Sequence, residues 1–128
     1  ANGEKRMKLA VLSGCISMAL AVAIGAFGAH GLKEKLASLN TSETFETAVK
    51  YHFYHALGLF VVAWASSQWT QINFQPITWM PIAGIGIFSG TLYVLSITGI
   101  KWLGAITPIG GTLFIIAWVM MAYKIYQA

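Results

Sequence analysis

The sequence contains very little charge. Only 9% of its 128 residues are Asp, Glu, Lys or Arg, whereas 57% are hydrophobic. Soluble domains carry about 25% charged residues, and a domain of this size exposes a large fraction of its residues to water. The scarcity of charge disfavours the soluble, disordered, collagenous and disulfide-scaffold classes, and it indicates an integral membrane protein.

Cysteine and acidic residues are also scarce, which limits the chemistry available to the chain. The single cysteine, Cys15, cannot form an intrachain disulfide and lies in an apolar run, so we expect it to be a small packing residue. Four acidic residues offer little for an enzyme that uses paired carboxylates. The sequence also has no G-x-S-x-G, Walker or H-E-x-x-H motif. Enzyme activity is therefore not expected, and no cofactor is predicted.

The gaps between charged residues predict the helices. Residues 9–32, 51–100 and 102–123 contain no charged side chain. A bilayer core of about 30 Å needs about 20 mostly apolar residues per helix. The middle run is therefore long enough for two helices, joined by the polar and aromatic segment 66–76. We predict an all-α four-transmembrane-helix bundle with spans near 9–29, 48–67, 79–98 and 103–124.

The two ends of the chain and its basic residues give further expectations. Residues 1–6 precede Met7 and are interpreted as a tag scar or a disordered N-terminus, while residues 7–128 form a single four-span membrane domain. The run 9–32 is longer than a signal-peptide core, which favours a retained span. The eight basic residues lie scattered at predicted helix ends, where they anchor helices to a membrane surface. We therefore expect the lipid bilayer, and no nucleic acid, as a partner.

Small residues recur at helical spacing in three of the predicted spans. In lipid, small side chains let helix backbones approach closely, so these positions are predicted to pack against other helices. They are Gly14, Gly25 and Gly28 in the first span, Gly86 and Gly90 in the third, and Gly111 in the fourth. This pattern favours a compact bundle with short connections.

One segment outside the predicted spans has a pattern of its own. Leu32, Leu36 and Leu39 recur at about helical spacing beside charged residues, which predicts a short amphipathic segment at the membrane interface, between helices 1 and 2. Asn40 followed by Glu43 resembles a capping box. We therefore expect Asn40 to be the N-cap of the second long helix.

Unusual polar residues gather on one side of the predicted bundle. Four spans bring the end of the first, the start of the second, the end of the third and the start of the fourth to that side. Ionisable residues at membrane depth are functional candidates, although these are expected close to helix ends. The candidate ligand- or ion-binding residues are His30, His52, His55, Tyr93, Lys101 and Thr107.

Three interpretations of the histidines stay open. They could close the polar end of the bundle through hydrogen bonds to carbonyls and tyrosines, or they could face a cavity as a ligand or proton site. They could also bind a metal ion or haem. His52 and His55 share a helix face and are weak candidates for metal binding, because no Cys or carboxylate lies on that face.

Pro108 lies inside the predicted fourth span. Proline removes a backbone hydrogen bond and leaves the carbonyl four residues earlier, on Gly104, without its donor. We therefore predict a helix kink at Pro108. It is either a tolerated kink or one that opens a polar pocket beneath Lys101.

Four sequence blocks together resemble a known family. They are GAFGAHGL at 25–32, TAVKYH at 47–52 with HALG at 55–58, FSGTLY at 88–93, and GAITPIGG at 104–111. The chain resembles, over residues 7–124, the YgdD-like family of small bacterial inner-membrane proteins of unknown function, which is related to a family of small eukaryotic transmembrane proteins. The resemblance implies a multi-pass protein of the bacterial inner membrane, and it implies no activity.

These observations leave three functional hypotheses. The leading one is a small transport or channel-like protein with a polar His/Tyr/Lys site at one membrane side, assembled as a homo-oligomer because four short helices barely enclose a pathway. The alternative is an accessory or scaffold protein that binds another membrane protein through its glycine-rich helix faces. The third is a metal- or haem-binding membrane protein.

Overall fold

The structure is a computed structural model that describes residues 2–128, and nearly all of these residues are helical. The α-helices are α1 (Asn2–His30), α2 (Lys33–Leu39), α3 (Ser42–Gln68), α4 (Gln75–Gly84), α5 (Gly90–Thr98) and α6 (Thr107–Gln127). Within the segment 1–6, which was expected to be a tag scar or disordered, Ala1 lies outside the described residues. Residues 2–6 form the first turns of α1.

Two irregular segments extend these helices. A π-helical turn, Ile85–Ser89, joins α4 to α5 without a break, and we call the whole of Gln75–Thr98 the α4–α5 helix. A 3-10 helix, Lys101–Ala105, continues into α6. Residues 2–128 therefore form five continuous helices, of which four are long and one, α2, is short. The short helix lies in the segment that was expected to be amphipathic.

Three of the described helices are long and apolar enough to cross a membrane. They are Gly3–His30, Gln75–Thr98 and Lys101–Gln127. An all-helical membrane protein is thus confirmed, but the predicted count of four spanning helices is not: the described chain has five helices, and α3 falls short of the other three long ones in apolarity.

The position of α3 explains its lower apolarity. It packs against α1 on one side and against the α4–α5 helix on the other. Ten of its 27 residues are buried, among them Ala48 and Leu59, which are fully enclosed. A helix covered by protein contacts less lipid, so it needs fewer apolar side chains than a helix that faces lipid. This central position lets α3 carry polar residues in its middle.

The small-residue face of α1 lies against α3. A side-chain carbon added at Gly14 would meet the Phe60 ring at 3.0 Å, and one added at Gly28 would overlap the Phe45 ring. Gly25 lies in the same contact. Each of these glycines leaves room for a large α3 side chain, so the two antiparallel helices pack closely.

Gly86 and Gly90 differ from the glycines of α1. Within the described part of the chain, no neighbouring atom lies within 4 Å of a side-chain carbon built at either position. The glycine of this helix that receives a neighbour is Gly84, where an added carbon would meet the Phe114 ring at 2.5 Å. Gly86 follows Gly84 by two residues and so points to the opposite side of the helix. The face of Gly86 and Gly90 was predicted to pack against another helix. Within the described chain, no other helix contacts it at these two glycines.

The junction between α2 and α3 corrects the expected cap. Asn40 has a left-handed backbone with φ of 56°, and it ends α2 instead of starting α3. Asparagine tolerates this conformation better than most residues, which makes it a common helix terminator. The N-cap of α3 is Thr41. Its hydroxyl donates to the Ser96 carbonyl at 2.7 Å, which ties this junction to the end of α5.

Pro108 lies in the first turn of α6 and not in a helix interior. The 3-10 helix ends just before it, at Ala105. A helix does not use the backbone N–H groups of its first turn, so proline removes no intrahelical bond there. The kink predicted at Pro108 is therefore replaced by a change of helix type, from 3-10 to α.

Candidate functional site

The histidines of α3 lie near the middle of this helix. Because α3 runs from Ser42 to Gln68, His55 is the central residue of its 27 residues. At about 1.5 Å per residue, it lies about 20 Å from each helix end. His52 is one turn closer to the end that carries α2, which we call the α2 end. Ionisable side chains at such a depth are costly in a membrane and are functional candidates.

His52 is the least satisfied polar side chain of the core. It is 97% buried, with 3% of its surface exposed. Its Nδ1 atom lies 2.7 Å from the hydroxyl oxygen of Tyr93 on α5. Its Nε2 atom is buried and has no hydrogen-bond partner among residues 2–128; we call this atom the open nitrogen. The backbone of Ser17 on α1 approaches the same ring but makes no hydrogen bond with the open nitrogen.

His55 is satisfied at both ring nitrogens. Its Nδ1 atom lies 2.9 Å from the Tyr51 carbonyl oxygen, which can only accept, so Nδ1 carries the proton. The indole N–H of Trp118 on α6 donates to Nε2 at 3.1 Å. The two bonds together fix a neutral tautomer, and the Phe114 ring stacks on the imidazole with centroids 3.5 Å apart. Both ring nitrogens of His55 therefore have partners within the bundle.

Polar side chains of the α4–α5 helix face α3 from the π-helical turn towards the α2 end. Ser89, in the π-helical turn, donates to the Ala48 carbonyl at 2.8 Å. Tyr93 follows one turn later, and Ser96 is fully buried one turn after that. We call Ser89, Tyr93, Ser96, Thr41 and His52 the polar seam. It runs from the α2 end to Nδ1 of His52.

The other half of the bundle interior is apolar. Its core consists of Val62, Ala65, Phe74, Ile77 and Met121. Thus the polar seam ends in the middle of the bundle. The interior between that point and the opposite end holds mainly hydrocarbon side chains, and the buried Thr78 hydroxyl there donates to the Phe74 carbonyl. A π-helical turn lies where the two halves meet, and such turns recur at functional sites of other proteins.

The remaining predicted site residues lie apart from His52. Thr107 is buried, and its hydroxyl lies 2.7 Å from that of Thr91, so this pair joins the start of α6 to α5. His30 and Lys101 are exposed at the α2 end. The structure therefore brings together His52 and Tyr93 of the six predicted residues, and it separates His55, Thr107, His30 and Lys101 into other surroundings.

Four of the residues in these contacts are not among the six predicted site residues. Ser89 and Ser96 share a helical face with Tyr93, at spacings of four and three, and this pattern could have indicated a polar face. Thr91 and Trp118 gave no such signal, because a threonine and a tryptophan are both ordinary in a membrane helix.

Metal binding finds little support in this geometry. Within residues 2–128, no group of three or more His, Cys, Asp or Glu side chains comes together that could hold a metal ion. His52 and His55, the weak metal candidates, are turned towards different helices, one to Tyr93 on α5 and the other to Trp118 on α6. Their ring nitrogens do not converge as a pair of ligands.

The fold and the buried site define a multi-pass helical membrane protein. The chain belongs to the family described as protein of unknown function (DUF423), which matches residues 24–111. It is 49% identical over 116 residues to the UPF0382 membrane protein YwdK of Bacillus subtilis, an overlap of 90% of this chain and 94% of that protein. It is 45% identical over 121 residues to the UPF0382 membrane protein SSP2132 of Staphylococcus saprophyticus, covering 94% and 99% of the two chains.

These similarities and the three apolar helices establish a multi-pass protein of the bacterial inner, or cytoplasmic, membrane. The expected family of small bacterial membrane proteins of unknown function is confirmed, while its YgdD-like name stays a prediction. No solved structure matches the chain.

Proposed function

We propose that this protein is a small transport protein that moves protons by reversible protonation of His52 at the open nitrogen. The proposal includes α3 as a fourth membrane span, since α3 lies among three helices that are each able to cross the bilayer. The observation that carries it is the buried imidazole in mid-bundle, with Nδ1 bound to Tyr93 and Nε2 without a partner in the described chain.

The energetic cost of this arrangement supports a functional role. A buried polar atom without a hydrogen bond costs about 1–3 kcal/mol. A bundle that needed His52 only for packing would be more stable with a hydrocarbon side chain in its place. When Nδ1 carries the ring proton, it donates a hydrogen bond to the Tyr93 hydroxyl. The lone pair of the open nitrogen can then accept a second proton. The unmet hydrogen bond therefore marks an atom that is ready to take up a proton.

The polar seam is the proposed route of protons to His52 from one side. Thr41, Ser96 and Tyr93 lie along it between the α2 end and Nδ1 of His52, while the mainly apolar half closes the other side. Transport proteins commonly place their binding sites near the midplane, beside irregular helices that open alternately to the two sides. The closed apolar half corresponds to one of these two states, and the π-helical turn supplies the irregular helix.

A vesicle assay tests this function. The full chain is reconstituted into liposomes containing a pH-sensitive dye, and a membrane potential is imposed with potassium and valinomycin. We expect proton influx above that of protein-free vesicles, and at least a tenfold lower influx for His52→Gln, which keeps the side chain polar but cannot be protonated. His30→Gln is the matched control, because His30 is exposed at the α2 end, and it should keep the wild-type influx.

Two results of this assay would contradict the proposal. One is a wild-type influx equal to that of protein-free vesicles. The other is an unchanged influx in His52→Gln, which would place the proton route elsewhere in the protein.

The open glycine face favours a second candidate function, that of a packing partner in a membrane complex. Glycine in a helix interior costs about 1 kcal/mol relative to alanine, and no neighbour in the described chain explains this cost at Gly86 or Gly90. The exposed side chains of Trp79 and Val94 lie on either side of these glycines along the helix. Together they form a shallow groove that a second helix could fill.

Cross-linking in lipid nanodiscs tests this packing face. We expect the wild-type chain to cross-link as a homo-oligomer and Gly86→Leu with Gly90→Leu to shift it to the monomer. The control, Ala23→Leu, makes a similar enlargement on an exposed face of α1 and should leave the oligomer unchanged. A monomeric wild-type chain, or an oligomer that tolerates both leucines, would exclude this assembly.

A further inference from the structure

The α2 end contains a cavity that is separate from the polar seam. It has a volume of about 520 Å³ and lies between α1, α2 and the first turns of α3. In the part of the chain that the structure describes, its lining includes neither His52 nor Tyr93. The cavity therefore needs an explanation other than the proton route.

The inner wall of the cavity is smooth and apolar. Gly25 and Ala29 of α1 have no large side chain to fill the space, and Val49 of α3 and Leu36 of α2 form the facing walls. This surface suits a flexible hydrocarbon chain, because its apolar atoms make close contacts and need no hydrogen-bond partner. It is open towards the surroundings, so a chain can enter from the bilayer without the helices separating.

The mouth of the cavity is charged and lies at the membrane interface. Lys33 and Lys50 line it together with one acidic residue, Glu46. The charge-free run that contains most of α1 ends at Leu32, just beyond the helix, so Lys33 is expected where hydrocarbon gives way to headgroups. Lys50 is exposed and long enough to extend its ammonium group towards the same level. Two cations and one carboxylate leave a net positive charge beside an apolar groove.

We propose that this cavity binds an anionic glycerophospholipid with a hydroxyl-bearing headgroup, such as phosphatidylglycerol. The phosphate is held between Lys33 and Lys50, whose ammonium groups donate to its oxygens. The headgroup hydroxyls donate to the Glu46 carboxylate, and one acyl chain lies on Gly25 and Val49. A zwitterionic lipid would bring a third cation to a site that already has two lysines, so charge favours the anionic class.

Lipid retention in native mass spectrometry tests the proposal. The full chain is purified in detergent, incubated with equal amounts of phosphatidylglycerol and phosphatidylcholine, and the bound lipids are counted. We expect at least a fivefold preference for phosphatidylglycerol. Lys33→Gln with Lys50→Gln should abolish the preference. Lys35→Gln with Lys101→Gln removes the same charge from the same end of the bundle, outside the cavity lining, and should keep it.

A second pair of variants tests the groove independently of charge. Ala29→Phe fills the cavity from an exposed position, so it should reduce phosphatidylglycerol binding at least fivefold without a clash in the core. Ala26→Phe adds the same ring to an exposed position of α1 outside the lining and should bind normally. Inorganic phosphate added in excess should not displace the lipid, since the acyl chain supplies part of the binding.

Three results would overturn the lipid proposal. They are equal wild-type binding of both lipids, a preference that survives Lys33→Gln with Lys50→Gln, and normal binding by Ala29→Phe. These results are independent of the proton assay, because the cavity and the substituted residues lie outside the polar seam.

Discussion

Replacement of Gly110 by alanine should destabilise the protein more than any other single-methyl addition considered in this bundle. A side-chain carbon at Gly110 would lie 2.8 Å from Cβ of Phe88 and 2.9 Å from its Cα, and closer still to its backbone nitrogen. Phe88 belongs to the π-helical turn, so its backbone cannot move unless α6 separates from the α4–α5 helix. Overpacking of this kind costs about 3 kcal/mol, which corresponds to a fall in Tm of roughly 10 °C.

The adjacent glycine provides the control for this prediction. A side-chain carbon at Gly111 would approach the Phe88 ring no closer than 3.5 Å, an ordinary contact. Because alanine favours a helix over glycine, Gly111→Ala should melt at or slightly above the wild-type Tm. Thermal unfolding of both variants in detergent decides the matter. If Gly110→Ala melted as high as Gly111→Ala, the close packing of α6 against the π-helical turn would be wrong.

Phe114→Ala should produce the second large loss of stability. The Phe114 ring is 4% exposed and stacks on the His55 imidazole. It also fills the space above Gly84, where no larger residue would fit. Removal of a buried phenylalanine ring costs about 3–5 kcal/mol, because the surrounding helices collapse only partly into the cavity. The cavity would also admit water beside the Trp118–His55 hydrogen bond.

Two measurements check the Phe114 prediction, Tm and the fluorescence of the purified protein. We expect a lower Tm and a red-shifted tryptophan emission. Ile115→Ala removes the next side chain, which is 65% exposed, and should change both quantities little. An equal fall in Tm for the two variants would contradict the placement of Phe114 in the core and Ile115 at its surface.

The sequence contains enough information to predict the helical class and most of the spans. Charge-free runs mark them, because hydrocarbon excludes charged side chains. The same rule predicts a span at 48–67 in α3, yet α3 is less apolar than the three helices of membrane-spanning composition. Lys50 and the two histidines lower its apolarity, although it is the most enclosed of the long helices. Its burial depends on how the helices pack, which the pattern of charges does not contain.

The histidine site could be predicted in composition but not in geometry. His52 and Tyr93 stand out as polar residues in apolar runs, and both belong to the buried pair. Their separation from His55 depends on how α3 is rotated towards its neighbours, which is set by packing over the whole bundle. The left-handed Asn40 ends α2, and the N-cap of α3 moves by one residue, to Thr41. A capping pattern alone does not distinguish a helix start from a helix end.

The transport proposal requires α3 to cross the membrane, because only then does His52 lie within the bilayer. Labelling of single cysteines tests this requirement most directly. In a Cys15→Ser background, Ser38→Cys and Gln71→Cys place one thiol at an exposed position beyond each end of α3. In sealed vesicles of one orientation, a membrane-impermeant maleimide should label one position at once and the other only after permeabilisation. Labelling of both positions from the same side would contradict a spanning α3 and, with it, the proposed depth of His52.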